Sequence, residues 1–232
     1  MRLLNSKALV LSLALTLALI ISLPQVLAWE PVCPVTYDGR IPPFVDVAAF
    51  DRRETPFEGR RPRDVRWEAI LDFPAVPPAL FDADYGGKAI ELTINDLSIL
   101  RPADMGAQKG LRWSSLYFAG NADGNDSSTR GVQTFHWSVR QGRPLNLTHE
   151  YLNVFHERKD GKGYHFAVKA GTLVGKETQT DRRNWKVLNR NNDVIFQTPL
   201  STSEWENFAV TLDFGKKYGP SPCTRSITTP VH

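Results

Sequence analysis

The stretch Gly131–Leu173 constrains the fold more than any other part of the chain. Val132–Arg140 alternates Phe135, Trp137 and Val139 with Thr134, His136, Ser138 and Arg140. His149–Glu157 alternates His149, Tyr151, Asn153 and Phe155 with Glu150, Leu152, Val154 and His156. Tyr164–Ala170 follows after Asp160-Gly161-Lys162-Gly163, a hairpin-type link. Period-two alternation rich in aromatic and β-branched residues marks half-buried strands. Ionisable groups inside these strands, His136 and Glu150 above all, must pair, line a groove or stay at an edge.

The remaining chain reads as β throughout. Expected strands are Val32–Tyr37, Val65–Asp72, Ala89–Ile94, Leu111–Ala119, Trp185–Leu188, Val194–Gln197 and Phe208–Phe214, with one helical turn at Pro78–Asp82. A proline-rich irregular stretch (Pro42, Pro43, Pro56, Pro62) separates the first two. Many short strands divided by Pro and Gly indicate an all-β fold, a two-sheet antiparallel sandwich or jelly roll. No internal repeat or second domain is seen.

The amino end lies outside that fold. Met1–Lys7 is basic, Ala8–Leu23 is almost wholly apolar, and Pro24 precedes a small-residue cleavage site at Ala28. This is the layout of a secretory signal peptide over residues 1–28, and the product is expected to be extracellular. The membrane-anchor alternative suffers from a short run with no basic stop beyond it. The segment takes Arg2 and Lys7 from the 28 basic residues, leaving 26 against 25 acidic, net +1. No electrostatic case for nucleic acid remains. Arg60, Arg61, Arg63 and Arg66 read as a solvated loop.

Cys33 and Cys223, near the two ends, form one bridge or stay as two thiols. Asn125 and Asn146 open the sequons Asn-Asp-Ser and Asn-Leu-Thr, sites for glycosylation on exposed loops of a secreted protein. Metal-ligand spacing is absent, and no cofactor motif is found. Carboxylates, histidine and aromatics within strands are the equipment of a groove that cleaves or binds sugar.

The runs GVQTFHWSV, RPLNLTHEYLNVFHE, FAVKAGTLVG and TPLSTSEWENFAVTLDF, with Tyr37–Pro42 and Gly87–Leu100 upstream, resemble glycoside hydrolase family 131, secreted fungal β-glucanases on a β-jelly roll. The resemblance spans Val35 to Lys216, within a domain placed at 29–217, and leaves a divergent polar tail at 218–232. It implies cleavage of β-1,3/1,6- and β-1,4-linked glucan by two glutamates across a broad groove. It makes Glu150, in His149-Glu150-Tyr151, the catalytic candidate, and His136 a residue that tunes it or binds sugar. The family's Arg-Arg-x-Glu-Leu strand aligns with Arg112-Trp113-Ser114-Ser115-Leu116. Ser115 thus stands in place of the first glutamate, and a hydroxyl cannot exchange protons as a carboxylate does. Glu91, Asp96 and Glu157 are the nearby substitutes in sequence. Glu150, His136 and Ser115 are expected on the concave face of one sheet. Trp113, two residues from Ser115 on one strand, is expected either in the groove beside it or in the core. Arg112, His149 and Tyr151 complete the candidate support. The partner is β-glucan, bound by a monomer without cofactor, nucleic acid or membrane. A hydrolase of reduced activity and a non-catalytic glucan-binding protein are the competing readings.

Overall fold

The computed structural model describes residues 35–62, 64–101, 106–118, 127–178 and 180–215. The signal segment 1–28, Cys33, Cys223, Asn125 and the tail 218–232 lie outside them. The central alternating stretch forms three strands close to the expected limits: β7 (Val132–Val139), β8 (Glu150–Glu157) and β9 (Tyr164–Gly171). Gly161 and Gly163, both at positive φ, close the link between β8 and β9, where Gly161 N–H donates to Arg158 O and Arg158 N–H to Gly163 O. With β10 (Asn184–Asn189) and β11 (Val194–Pro199), β8 and β9 make a four-stranded antiparallel sheet ordered β11-β10-β9-β8. β7 pairs along its length with β12 (Glu206–Asp213).

These two sheets pack face to face, as in a sandwich. Phe166, Val168 and Ala170 from β9 and Trp185 and Val187 from β10 meet Phe208 of β12 in one buried cluster. Phe135, Trp137 and Val139 of β7 close it from the other sheet, Trp137 stacking on Phe208 and Phe166 at 5.2 and 5.7 Å. Alternation drives this arrangement, because each strand can bury only every second side chain.

The amino-terminal half builds a second cluster. A short helix α1 (Ala48–Arg52) sends Ala49 and Phe50 inward. Asp46 Oδ1 accepts the Ala49 N–H at the helix start, and Arg53 in the left-handed region ends it. Val65–Asp72 was expected as a strand, but Trp67–Ala69 is a 3-10 turn and only β2 (Leu71–Asp72) is extended. The reason is visible in the buried residues: Trp67, Ile70 and Leu71 face the core at a helical rather than an alternating spacing. Ala89–Ile94 shortens to β3 (Glu91–Leu92), which pairs with β2. The expected strand at Leu111–Ala119 is two strands. β5 (Gln108–Arg112) pairs with β4 (Ile99–Leu100), and β6 (Ser115–Phe118) pairs with β1 (Phe57–Arg60). Residues 35–37 form no strand, and Pro78–Asp82 leads into a turn held by Asp82 N–H to Ala79 O.

Candidate functional site

Glu150 begins β8, the edge strand of the four-stranded sheet. Its pairing partner is Gly171, and Lys169 and Ala167 continue along that face of β9. Leu152 pairs with Lys169 and Phe155 with Ala167, so Glu150, Leu152 and Phe155 share one face despite their uneven spacing. Asn153 is the extra residue of a β-bulge that makes this possible. The face points away from the core between the sheets, toward which Tyr151, Val154 and Phe166 turn.

On this face Glu150 is held by two donors. Lys169 Nζ donates to Oε1 at 2.7 Å, and the Val174 backbone N–H donates to Oε2 at 2.9 Å. The ion pair is recessed but open to solvent, with side-chain exposures of 15% for Lys169 and 22% for Glu150. Beside Lys169 in register stands Lys186, without exposed surface, its Nζ donating to Gly171 O and Asn184 O. Burial lowers the Lys186 ammonium from its ordinary value. The chain can enter this turn because Gly171 has φ +77, where a Cβ would lie 2.0 Å from His149 O.

Further along β8 the same face carries aromatics. Phe155 meets Tyr164 and Tyr117 at ring distances of 5.1 and 5.7 Å. Burial pushes both tyrosine hydroxyls up from the usual value, and the negative charge of Glu157 adds to it; Glu150 acts similarly on Tyr164. Arg60 caps the Tyr117 ring at 4.9 Å. In β1 and β6, Arg60 pairs with Ser115 and Glu58 with Tyr117, so these four side chains share a face. Tyr117 therefore turns the Ser115 side of β6 toward the Glu150 side of β8.

Ser115 is 9% exposed and accepts a hydrogen bond from Trp113 Nε1. Trp113 lies between β5 and β6 rather than within one strand. It nonetheless faces a cavity of about 530 Å³, together with Arg53, Glu58, Arg60, Arg61 and Trp67. Glu150 is not among the walls of that cavity.

The expectation that Glu150, His136 and Ser115 share one sheet face is not met. They stand on three separate ladders: β8 with β9, β7 with β12, and β6 with β1. His136 alternates with Phe135 and Trp137, which fill the core, so it points outward from the opposite sheet, where Phe81 meets its ring at 5.2 Å. Tyr151 packs against that core, on the other face of β8 from Glu150. His149 is exposed just before the strand and serves through its carbonyl, which accepts from Thr172 N–H. Arg112 is ion-paired to Asp96 at 2.5 Å. Of the sequence-level substitute carboxylates, Asp96 is therefore engaged elsewhere, Glu91 lies against Gly142, and Glu157 alone reaches the Glu150 face. Asn146 is exposed, its Oδ1 accepting from Thr148 Oγ1 at 2.8 Å. Lys169, Lys186, Tyr117 and Tyr164 were missed. The polar Lys169 inside FAVKA was the one available signal, since an apolar strand tolerates a lysine only where it finds a partner. Among the described residues no three His, Cys, Asp or Glu side chains gather to hold a metal ion.

The family model for the glycoside hydrolase 131 catalytic N-terminal domain matches residues 35–226. Among solved structures, the catalytic domain of a GH131 β-glucanase from Podospora anserina superposes with a TM-score of 0.59 at 16% identity. The match covers 78% of this chain and 71% of that one, and supports a common β-sandwich fold. No curated protein matches the chain.

Proposed function

The chain belongs to glycoside hydrolase family 131, and we propose that it is a secreted enzyme that hydrolyses β-glucan, with β-1,3/1,6- and β-1,4-linked chains as substrates. The observation that carries this reading is Glu150. It is a carboxylate recessed on the outer face of the four-stranded sheet, with both oxygens occupied by donors and part of its surface open. Such a group is positioned rather than mobile, as proton transfer in a transition state requires. The adjoining Phe155, Tyr164 and Tyr117 offer ring faces and hydroxyls to a sugar chain.

Reducing-sugar release from laminarin and cellulose by the purified protein tests the reading. Glu150→Gln should lower the rate by about 10²–10⁴. Equal rates for wild type and variant would remove Glu150 from the chemistry. Export is tested by sequencing the amino end of protein recovered from the medium, which should begin at Trp29.

The second reading, a glucan-binding protein of little activity, is favoured by Ser115 and Trp113. By the sequence resemblance Ser115 takes the position of a family glutamate, and it accepts a hydrogen bond from an indole that lines a large cavity. Binding of laminarin without turnover would select this reading.

A further inference from the structure

Taking the hydrolytic reading as its premise, we propose that Glu177 is the second carboxylate of the site, the proton-transfer partner of Glu150 in place of the glutamate lost at Ser115. The turn after β9 presents two successive backbone amides to two different carboxylates. Val174 N–H donates to Glu150 Oε2 at 2.9 Å, and Gly175 N–H donates to Glu177 Oε1 at 2.8 Å. Successive backbone nitrogens are at most about 3.7 Å apart by standard bond lengths, so these oxygens are separated by no more than about 9.4 Å. Carboxyl pairs that cleave glycosidic bonds stand about 5–5.5 Å apart in retaining enzymes and about 6.5–9.5 Å apart in inverting ones. Glu157 does not meet this limit as readily. It lies seven residues along β8 from Glu150, and a strand advances about 3.3 Å per residue.

The surroundings suit a sugar. Val174, whose N–H holds Glu150, is 80% exposed and offers a sugar ring an apolar contact. Glu177 is exposed, and the backbone N–H of Gly175 holds its carboxyl below the usual range. A carboxylate that stays ionised suits the base. Glu177 takes a proton from water, and the water oxygen bonds to the anomeric carbon. Glu150 gives a proton to the glycosidic oxygen as the carbon–oxygen bond breaks. Lys169, its partner at 2.7 Å, holds the Glu150 carboxyl in place, and solvent returns a proton to Glu150 and takes one from Glu177 before the next turnover. Water provides all the atoms added, and no further reactant is needed.

Two measurements on the full-length mature protein decide the matter. The first is turnover of laminarin by Glu177→Gln, with azide as an added nucleophile. A fall of at least a hundredfold, with azide restoring turnover and yielding a glycosyl azide, is the expected result. A variant within threefold of wild type overturns the proposal while leaving the hydrolase reading intact. The second measurement needs no activity. The Glu150 carboxyl is titrated by carbon NMR in wild type and Glu177→Gln. Removal of a like charge within about 9.4 Å should move its midpoint to lower pH. An unmoved midpoint overturns the pairing. A wild type that cleaves no glucan refutes the hydrolase reading, and the titration then still decides whether the two carboxylates interact.

Discussion

Gly171→Ala tests the backbone that sets the site. Two costs can be worked from the geometry. An alanine forced into the left-handed region at φ +77 costs about 1–2 kcal/mol. The new methyl would also lie 2.0 Å from His149 O, and that carbonyl is fixed by the Thr172 N–H at 3.0 Å. Overpacking of this kind costs about 1–3 kcal/mol. The combined loss is roughly 2–5 kcal/mol, which lowers Tm by roughly 5–15 °C in a domain of this size. Gly161→Ala is the matched control, since it has φ +65 but nothing within 4 Å of the added methyl. It should lose only the conformational cost, a fall of roughly 2–6 °C. Both are read by thermal melting followed by circular dichroism. Equal losses would refute the reasoning, because the His149 carbonyl would then have yielded at no cost. Glucan turnover should fall in Gly171→Ala and hold in Gly161→Ala, since only the former disturbs the Val174 amide that holds Glu150.

The other predictions concern the cavity, Ser115 and a half-buried acid. Trp113→Ala should weaken laminarin binding in calorimetry by about 1 kcal/mol; a fall in Tm beyond about 4 °C would instead identify Trp113 as mainly structural. Ser115→Glu should raise laminarin turnover, and no gain in an assay of initial rates would count against the alignment that placed a glutamate there. Glu206 accepts a hydrogen bond from the buried Trp185 indole, and burial raises its carboxyl above the ordinary 4.5. Its folded form therefore binds a proton more tightly than its unfolded form. The associated stability is complete below the unfolded value and is lost as pH rises through the folded one. Glu206→Gln should melt higher than wild type at pH 7, and the difference should close as the pH drops below about 4.5. A difference independent of pH would assign the effect to packing.

The sequence disclosed the sandwich where alternation was unbroken. Phe135, Trp137 and Val139, alternating along β7, turn together into the core. It misled at β8, where Asn153 bulges and moves Phe155 to the Glu150 face; a period-two reading assigns Phe155 to the Tyr151 side. Trp67, Ile70 and Leu71 were illegible as a turn because a short apolar run fits strand and helix alike. β1 was hidden among prolines, since Phe57-Glu58-Gly59-Arg60 shows no alternation until β6 supplies its partner. Glu150 was singled out by its motif. Its partners Lys169 and Val174 were not, because the pairing with β9 and a left-handed glycine bring them to it, and neither leaves a periodic trace.

The two hydrophobic clusters share no buried residue. Trp113 and its cavity rest on the one containing Phe50 and Trp67, whereas β8 and β9, which carry Glu150, rest on the one containing Phe166 and Trp185. Regions with separate cores open as separate cooperative units, each with its own free energy. Amide hydrogens of β1 and β6 should then exchange with deuterium as one group and those of β8, β9 and β10 as another. On warming, the cavity beside Trp113 and the outer face that carries Glu150 would be lost in succession rather than together.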